Sequence, residues 1–333
     1  GMILDEKGRA MHKSAGNAID PDQIIGKYGA EILRLWVALC DYSEDVRISE
    51  KILGGPIDTY RKIRNTLRYL LGNLADFKPA RDRVSDDKLL EVDRYMRARL
   101  AVTVAAVEGH YANFQFRQAI RAVTDFCILD LSAFYLDSLK DRLYTFSPDS
   151  PERRSAQTVL YDILTSVVRM MAPVLSFTAE EAWKTAKAEI DPSLEDSVFL
   201  SDYPKFPAAW SDEALLARWE KIMSVREAVT KAIEEKRQAG EVGSSLEARI
   251  TLRTSKPETA AFLKSVTWPQ VAIVSEASVE VDSAAPELEV KVAKAEGAKC
   301  PRCWQWRRDI GSDPKHADVC GRCAGALEAA AGR

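Results

Sequence analysis

Two C-x-x-C pairs near the C-terminal end constrain that region most strongly. The chain has 333 residues and six cysteines, and four of these lie in the last 34 residues: Cys300, Cys303, Cys320 and Cys323. A two-residue gap lets one tight turn direct two thiolates at the same ion, and the sixteen residues between the pairs are typical of a four-cysteine zinc module. We therefore predict one structural zinc ion that folds the module and, with all four positions occupied by thiolate, does no chemistry.

Two alternatives to this ligand set stay open from the sequence. Iron could be held by the same four thiolates, and His316, which lies between the pairs, could replace one cysteine. Gly321, directly after Cys320, suits a tight turn. The other two cysteines, Cys40 and Cys127, lie in apolar helical segments, where we expect inert buried thiols.

Apolar residues recur every three or four positions along most of the chain, which predicts amphipathic helices. A capping-box pattern at Thr178 and Glu181 predicts a further helix that begins near Ala179 and buries Trp183. The other predicted helices cover residues 23–27, 30–40, 56–73, 89–109, 116–144, 154–171 and 213–238. Long helices joined by short polar links indicate a helical bundle.

A second, smaller kind of structure is predicted after the bundle. Four short segments are rich in valine or isoleucine and mostly alternate in polarity, as strands do: 248–253, 271–275, 279–281 and 289–293. Because they follow a long helix, we predict a small α/β domain between the bundle and the cysteines.

Composition excludes several classes of protein. Hydrophobic residues make up 46% and charged residues 29% of the chain, and there is no run of 18 uncharged apolar residues to span a membrane. The first residues are charged where a signal peptide needs an apolar stretch, so we expect a cytoplasmic protein. A net charge of -3 argues against a uniformly basic nucleic-acid binder but not against a local basic face.

Two local patterns suit contact with nucleic acid. The predicted helix over 57–74 repeats basic and amide side chains at helical spacing and carries a single acidic residue. Near the cysteines, basic side chains alternate with tryptophans, a combination that suits a phosphate backbone and an unstacked base. The candidate contacts are Arg61, Arg64, Asn65 and Arg68 on the helix, with Arg302, Trp304 and Arg307 near the cysteines.

The segment GRAMHKSAGN at 8–17 resembles the KMSKS loop of class I aminoacyl-tRNA synthetases. Lys13 and Ser14 match the second lysine and serine of that signature, whereas Ala10 and His12 replace its first lysine and serine. Seven further runs resemble isoleucyl-tRNA synthetase of bacterial type: YGAEILRLW, YRKIRNTLRYLLGNL, AFYLDSLKDRLYT, MAPVLSFTAEEAW, GSSLEA, CPRCW and CGRC. The cysteine-rich end favours the isoleucine enzymes over their valine and leucine relatives.

The patterns and the resemblance together predict a mainly α fold in four parts. We expect a KMSKS-like loop with connecting helices at the edge of a catalytic domain, a helical-bundle anticodon-binding domain, a small α/β junction domain and a C-terminal four-cysteine zinc module. Their predicted bounds are residues 1–42, 43–208, 209–295 and 296–333.

The resemblance also implies an activity, the joining of isoleucine to its tRNA with ATP through an isoleucyl-adenylate. Lys13 would stabilise charge on the triphosphate, and Lys13 and Ser14 would bind ATP, which enters with Mg²⁺. The family's HIGH motif and editing domain have no counterpart here. We therefore expect a monomeric C-terminal portion that binds isoleucine tRNA and cannot activate isoleucine without the missing N-terminal catalytic half.

Two other functions stay open at this point. The chain could restore ligase activity by complementing a separately supplied N-terminal half. Alternatively, it could be a zinc-stapled helical module that binds a protein and has no role with RNA, as its mildly acidic total charge would allow.

Overall fold

The computed structural model describes residues 1–331, and the chain forms two compact units. The first unit comprises residues 1–135 and 154–212, and the second comprises residues 136–153 and the chain from 213 onward. The predicted four-part division stays a prediction.

Helices dominate the fold, as the apolar periodicity predicts. In chain order they are α1 (Pro21–Tyr28), α2 (Ala30–Leu39), α3 (Glu50–Asn73), α4 (Pro79–Asp82), α5 (Glu91–Ala112), α6 (Phe116–Asp125), α7 (Leu136–Thr145), α8 (Pro151–Met171), α9 (Ser176–Glu189), α10 (Glu213–Gln238), α11 (Pro257–Lys264), α12 (Trp268–Ala272) and α13 (Gly321–Ala331). The strands are β1 (Ile3–Leu4), β2 (Val46–Arg47), β3 (Ala248–Thr254), β4 (Glu276–Val281), β5 (Glu289–Lys294), β6 (Ala298–Lys299) and β7 (Trp306–Arg307).

Two predicted elements differ from the structure. The helix predicted over 116–144 contains ten residues with π-helical hydrogen bonding, Phe126–Tyr135, between α6 and α7. The strand predicted over 271–275 is wrong, because Pro269 stands in the first turn of α12 and Ile273 ends that helix with a left-handed φ of 57°. The strand that follows, β4, begins at Glu276.

The first unit is built around helix α8. From Arg154 to Val168 every side chain of this helix is buried, as in a helix surrounded by others. A second cluster of buried residues joins α1, α2 and the start of α3, and it includes Ile24, Trp36 and Leu53. This cluster places α1 beside α3, which matters for the surface described below.

Helix α2 holds the start of α9 through two charged side chains. Glu31 Oε1 accepts hydrogen bonds from the backbone N–H groups of Phe177 and Thr178, both at 2.9 Å, and Glu31 Oε2 accepts one from the Thr178 hydroxyl. Arg34 donates to the carbonyls of Pro173 and Val174, at 2.7 and 2.9 Å.

The predicted capping box is therefore wrong in its mechanism. Helix α9 begins at Ser176, before Thr178, and no side chain of its own N-cap residue makes the capping bond. The buried Glu31 carboxylate from α2 satisfies the free N–H groups instead. The prediction that Trp183 faces the core is confirmed.

The second unit contains a three-stranded sheet in the order β4-β3-β5. β3 pairs parallel with β4, with Ile250 opposite Ala277, and antiparallel with β5, with Ile250 opposite Val292. Helices α11 and α12 supply the crossover that a parallel pair requires. Trp219 of α10 and Trp268 of α12 are fully buried in this unit. Within residues 1–331, every helix is too short or too polar to cross a lipid bilayer.

The central helix α8 carries one buried carboxylate whose charge is only partly compensated. Asp162 Oδ1 accepts a hydrogen bond from Arg83 at 2.8 Å, but its Oδ2 has no hydrogen-bond partner among the described residues. Burial raises the pKa of Asp162 to about 6, although Arg83 and Arg97 act to lower it, and the nearby Asp86 raises it further.

We predict that Asp162→Asn stabilises the first unit more at high pH than at low pH. In the native state Asp162 keeps its proton up to about pH 6, whereas the unfolded chain releases it near the ordinary value of 3.8, so the wild type loses stability as the pH rises between these values. The gain from Asn should grow by about 1 kcal/mol between pH 5 and pH 8. Urea unfolding of the wild type and the variant at both pH values measures this gain in the free energy of unfolding, with Asp58→Asn at an exposed position as control. A gain that does not change with pH would contradict the prediction.

Candidate metal centre and nucleic-acid surfaces

The four predicted cysteines come together in one buried cluster. Cys300 and Cys303 flank a turn after β6, Cys320 precedes α13, and Cys323 lies in its first turn. All four Sγ atoms lie within 4.8 Å of one another, and the Cys303 and Cys320 Sγ atoms are 3.9 Å apart. Tetrahedral zinc with Zn–S bonds of about 2.3 Å places its sulfurs about 3.8 Å apart. The donor set and its spacing therefore fit a four-thiolate zinc ion.

Backbone hydrogen bonds shape the first C-x-x-C turn. The Trp304 N–H donates to the Cys300 carbonyl at 2.9 Å, and the Cys300 N–H donates to the Gln305 carbonyl at 2.9 Å. Trp304 adopts a left-handed backbone with a φ of 64°, a conformation that favours glycine. A tryptophan at such a position is held there by the turn around the metal ligands.

Gly321 has a different role from the predicted one. It begins helix α13 with an ordinary negative φ rather than forming a left-handed turn. Its N–H donates to Asp309 Oδ2 at 3.0 Å, and an added Cβ would lie 3.0 Å from the same oxygen. A side chain at this position would therefore be tight against the Asp309 carboxylate, which would have to shift slightly to admit it.

The thiols of the cluster have unequal electrostatic environments. Burial raises the pKa of the Cys300 thiol, but hydrogen bonds from the backbone N–H groups of Cys303, Cys320 and Arg302 outweigh burial and lower that pKa to about 6. Burial raises the pKa of Cys303 and Cys323, and the side chains of Arg322 and Arg302, respectively, act against it. The arginine of each C-x-x-C loop thus acts to lower the pKa of a thiol in the opposite loop.

The remaining candidate ligands lie outside this cluster. His316 Nε2 is 3.0 Å from Glu328 Oε1, and within residues 1–331 the histidine is not part of any metal-binding group. Cys127 is buried as predicted, and burial raises the pKa of its thiol to about 12. Cys40 is half-buried rather than buried, and its partial burial also raises the pKa of its thiol.

The three candidate RNA contacts beside the cluster differ in accessibility. Trp304 is 61% exposed, and Lys299 Nζ lies 5.5 Å from the centre of its ring. Arg302 is half-buried and donates to the Thr145 carbonyl, and Arg307 donates to Gln305 Oε1. Trp304 is therefore the most accessible of the three, while the arginines hold the module together.

The four candidates on α3 line one groove of about 480 Å³. Arg61 lies 3.4 Å from Asp58, and Arg64 lies 3.9 Å from Glu181, so both guanidinium groups form only long, exposed ion pairs. Five further residues line the groove and were not predicted from the sequence: Lys27, Tyr28, Ile32, Ile57 and Tyr60. Lys27 and Tyr28 belong to α1, and no spacing in the sequence predicts that α1 packs beside the basic face.

Lys13 and Ser14 lie exposed on a 3₁₀ turn, Lys13–Ala15, which Gly16 ends with a φ of 65°. Asn17 closes the loop, because its Oδ1 accepts from the His12 N–H at 3.0 Å and its Nδ2 donates to Asp5 and to the Ala10 carbonyl. Hydrogen bonds from the Asn17 side chain and the Arg9 N–H lower the pKa of Asp5 well below its usual range. Asp5 therefore anchors the loop as a carboxylate.

Models of known protein families match three parts of the chain. Three family models match successive parts of the chain: "tRNA synthetases class I (I, L, M and V)" over residues 1–49, "Anticodon-binding domain of tRNA ligase" over 93–252, and "Zinc finger found in FPG and IleRS" over 297–325. Successive parts of the chain are thus similar to a class I tRNA synthetase, to the anticodon-binding domain of tRNA ligases and to a zinc finger.

The chain is similar along nearly its whole length to isoleucine–tRNA ligases, so the resemblance seen in the sequence is confirmed. It is 45% identical to the enzyme of Carboxydothermus hydrogenoformans and 44% identical to those of Syntrophotalea carbinolica and Geobacter sulfurreducens. Each match covers 98% of this chain and 36% of the relative. The chain therefore spans about a third of the length of these relatives.

Proposed function

We propose that this chain is the tRNA-binding portion of an isoleucine–tRNA ligase. The observation that carries the proposal is the groove in which Arg61, Arg64, Asn65 and Arg68 converge on one side of α3. In the whole ligase, isoleucine would react with ATP to form isoleucyl-adenylate and would then be transferred to isoleucine tRNA.

The chemistry of the groove suits an RNA backbone. A guanidinium group can donate two parallel hydrogen bonds to a phosphate. The ion pairs that Arg61 and Arg64 form within the protein are weak and screened by solvent, so both side chains could give them up to bind phosphate. Tyr28 and Tyr60 add two rings to the lining, against which a base or ribose could pack. The groove would hold the anticodon arm by its backbone, with Asn65 available to a base edge.

In the zinc module, Trp304 would supply a stacking surface. Its ring is exposed, its backbone is fixed by the metal-binding turn, and Lys299 lies close enough to pair with a phosphate next to a stacked base. Arg302 and Arg307 would support this surface, because both are engaged inside the module. Zn²⁺ bound by the four cysteines would hold the two turns together.

The loop at 8–17 would take part in amino-acid activation in the whole enzyme. Lys13 is exposed on a turn tied down by Asn17 and Asp5, so its ammonium group could contact the triphosphate of ATP, which binds with Mg²⁺, and Ser14 lies beside it. Ala10 replaces the first lysine of the signature, which leaves Lys13 as the cation at this place. We infer that the segment alone does not activate isoleucine, that it is monomeric, and that it works in the cytoplasm.

We predict that removing two arginines from the groove weakens tRNA binding and makes it less sensitive to salt. Each phosphate contact contributes about 0.7 to 0.9 to the slope of log K against log salt concentration, so Arg61→Gln with Arg68→Gln should reduce the slope by about 1.5. Fluorescence anisotropy with isoleucine tRNA across a salt series measures it. Arg237→Gln on α10, which removes an exposed arginine paired with Glu234, is the control.

If the salt dependence of tRNA binding were unchanged in the double variant, the groove would not be the tRNA-binding surface. Absence of tRNA binding by the wild type at low salt, together with tight binding of one protein partner, would favour the alternative of a protein-interaction module.

A further inference from the structure

One carboxylate of the second unit receives hydrogen bonds from both halves of the cysteine cluster. Asp141, on helix α7, accepts two hydrogen bonds from Arg322, at 2.6 and 2.7 Å, and a third from Gln305 Nε2 at 3.2 Å. Arg322 lies between the two cysteines of the second pair, and Gln305 lies two residues after the first pair. Asp141 therefore attaches to both segments that carry the cysteines, although these segments are separated along the chain.

The end of α7 makes two more contacts with the same module. Arg302 donates to the Thr145 carbonyl, and the Arg322 guanidinium lies 4.8 Å from the centre of the Phe146 ring. Arg302 and Arg322 occupy the same place in the two motifs, C-P-R-C and C-G-R-C. Both C-x-x-C loops thus use their third residue to bind one turn at the end of α7.

Charge gives these contacts a consequence for the metal. Zinc with four thiolates carries a net charge of about -2, and a nearby guanidinium group stabilises that charge. Arg322 lies between two of the cysteines in the chain, and a bidentate ion pair with Asp141, the arrangement that fixes a guanidinium most firmly, holds its side chain. If Asp141 were lost, the arginine would be free to turn toward solvent.

We propose that Asp141 is a positioning residue for the zinc centre, which holds both C-x-x-C segments to α7 through Arg322 and Gln305 and thereby slows the release of the metal. The inference rests on zinc binding as proposed above but not on tRNA binding. Partners in the outer shell of a metal site typically change metal affinity by 10-fold to 100-fold when removed.

The test is the rate at which zinc passes from the whole chain to a chelator. Asp141→Asn, which keeps the shape but loses the charge, should release zinc about 10-fold faster than the wild type. Asp141→Glu should restore much of the slow rate, because it keeps a carboxylate for Arg322. The matched control is Asp137→Asn, one turn earlier on α7, which removes an exposed pair with Lys140.

Two further measurements separate positioning from general stability. Arg322→Gln combined with Asp141→Asn should release zinc no faster than Arg322→Gln alone, because the two residues act as one pair. In the cobalt-loaded chain, Asp141→Asn should shift the thiolate-to-metal absorption band, because the two C-x-x-C segments that carry the thiolates lose a common point of attachment, whereas Asp137→Asn should leave the band in place.

The role of Asp141 and the presence of zinc can fail separately in these experiments. A wild-type chain that holds no zinc overturns the metal centre and the role of Asp141 together. A wild-type chain that holds zinc, with Asp141→Asn releasing it at the rate of Asp137→Asn and leaving the cobalt band in place, overturns the role of Asp141 alone.

Discussion

Cys323→Ser should lose its bound zinc and unfold the module from 297 to 331 while the first unit keeps its helices. Besides the four cysteines, the buried core of the module consists only of Val319 and Ala324, with Ile310 and Leu327 packed beside it. Such a core is too small to fold a segment of this length without a metal. Structural zinc sites of this kind contribute about 10 to 16 kcal/mol at neutral pH, far more than the module could supply by other contacts.

Two measurements check this result. Zinc per chain, by elemental analysis, should fall from about one to well below one, since a three-thiolate site binds the ion much more weakly. Hydrogen exchange should show fast exchange confined to the module. Cys40→Ser, which changes a half-buried cysteine outside the cluster, is the control and should keep its zinc. Full zinc occupancy in Cys323→Ser would contradict the assignment of the ligands.

The same variant bears on RNA binding. If Trp304 stacks on a base, unfolding its turn should weaken tRNA binding by about 1 to 3 kcal/mol, and Trp304→Ala should reproduce most of that loss with zinc still bound. Undiminished binding by both variants would leave the zinc module with a structural role only.

The second large effect is expected at Glu31. Glu31→Ala removes the acceptor for the buried N–H of Thr178, the part-buried N–H of Phe177 and the Thr178 hydroxyl at the start of α9. The two N–H groups lose their acceptor, while the hydroxyl keeps its contact with Tyr60 at 3.0 Å. Removing one buried acceptor of this kind lowers the free energy of unfolding by about 1 to 3 kcal/mol, and by more when the acceptor is charged. We therefore expect Glu31→Ala to lower the free energy of unfolding by about 3 kcal/mol. Glu31→Gln should cost about 1 kcal/mol, because it keeps one acceptor oxygen.

Urea unfolding followed by far-ultraviolet circular dichroism measures the loss at Glu31. The control is Glu50→Ala, which removes an exposed carboxylate paired with Lys27 and should change the free energy of unfolding by less than about 1 kcal/mol. Equal effects of Glu31→Ala and Glu50→Ala would show that the start of α9 finds other acceptors.

The parts of the fold that follow from local spacing could be predicted. The C-x-x-C pairs indicated the metal site because two ligands two residues apart are brought together by the backbone alone. Helical periodicity indicated α3, α5, α8 and α10 for the same reason, since one turn of helix decides which side chains share a face. Arg61, Asn65 and Arg68 line one groove because they are separated by one and two turns.

Predictions from composition and spacing were wrong where tertiary contacts decide the conformation. The segment predicted as a strand at 271–275 is rich in apolar and β-branched residues, yet its first two residues end helix α12. Pro269 stands in the first turn of that helix, and Trp268 and Val271 are buried. Thr178 and Glu181 have the spacing of a capping box, but a carboxylate from α2 outcompetes them for the free N–H groups.

The sequence by itself therefore determined which four cysteines cluster, the helical character of the chain, the basic face of α3 and the similarity to isoleucine–tRNA ligases. Tertiary structure alone decided that Lys27 and Tyr28 join the basic groove, that Glu31 caps α9, and that Asp141 binds Arg322 and Gln305 from the two C-x-x-C segments. The first set depends on neighbours within a few residues, which spacing describes. The second depends on pairs far apart in the chain, which only the packing of whole helices brings within hydrogen-bond distance.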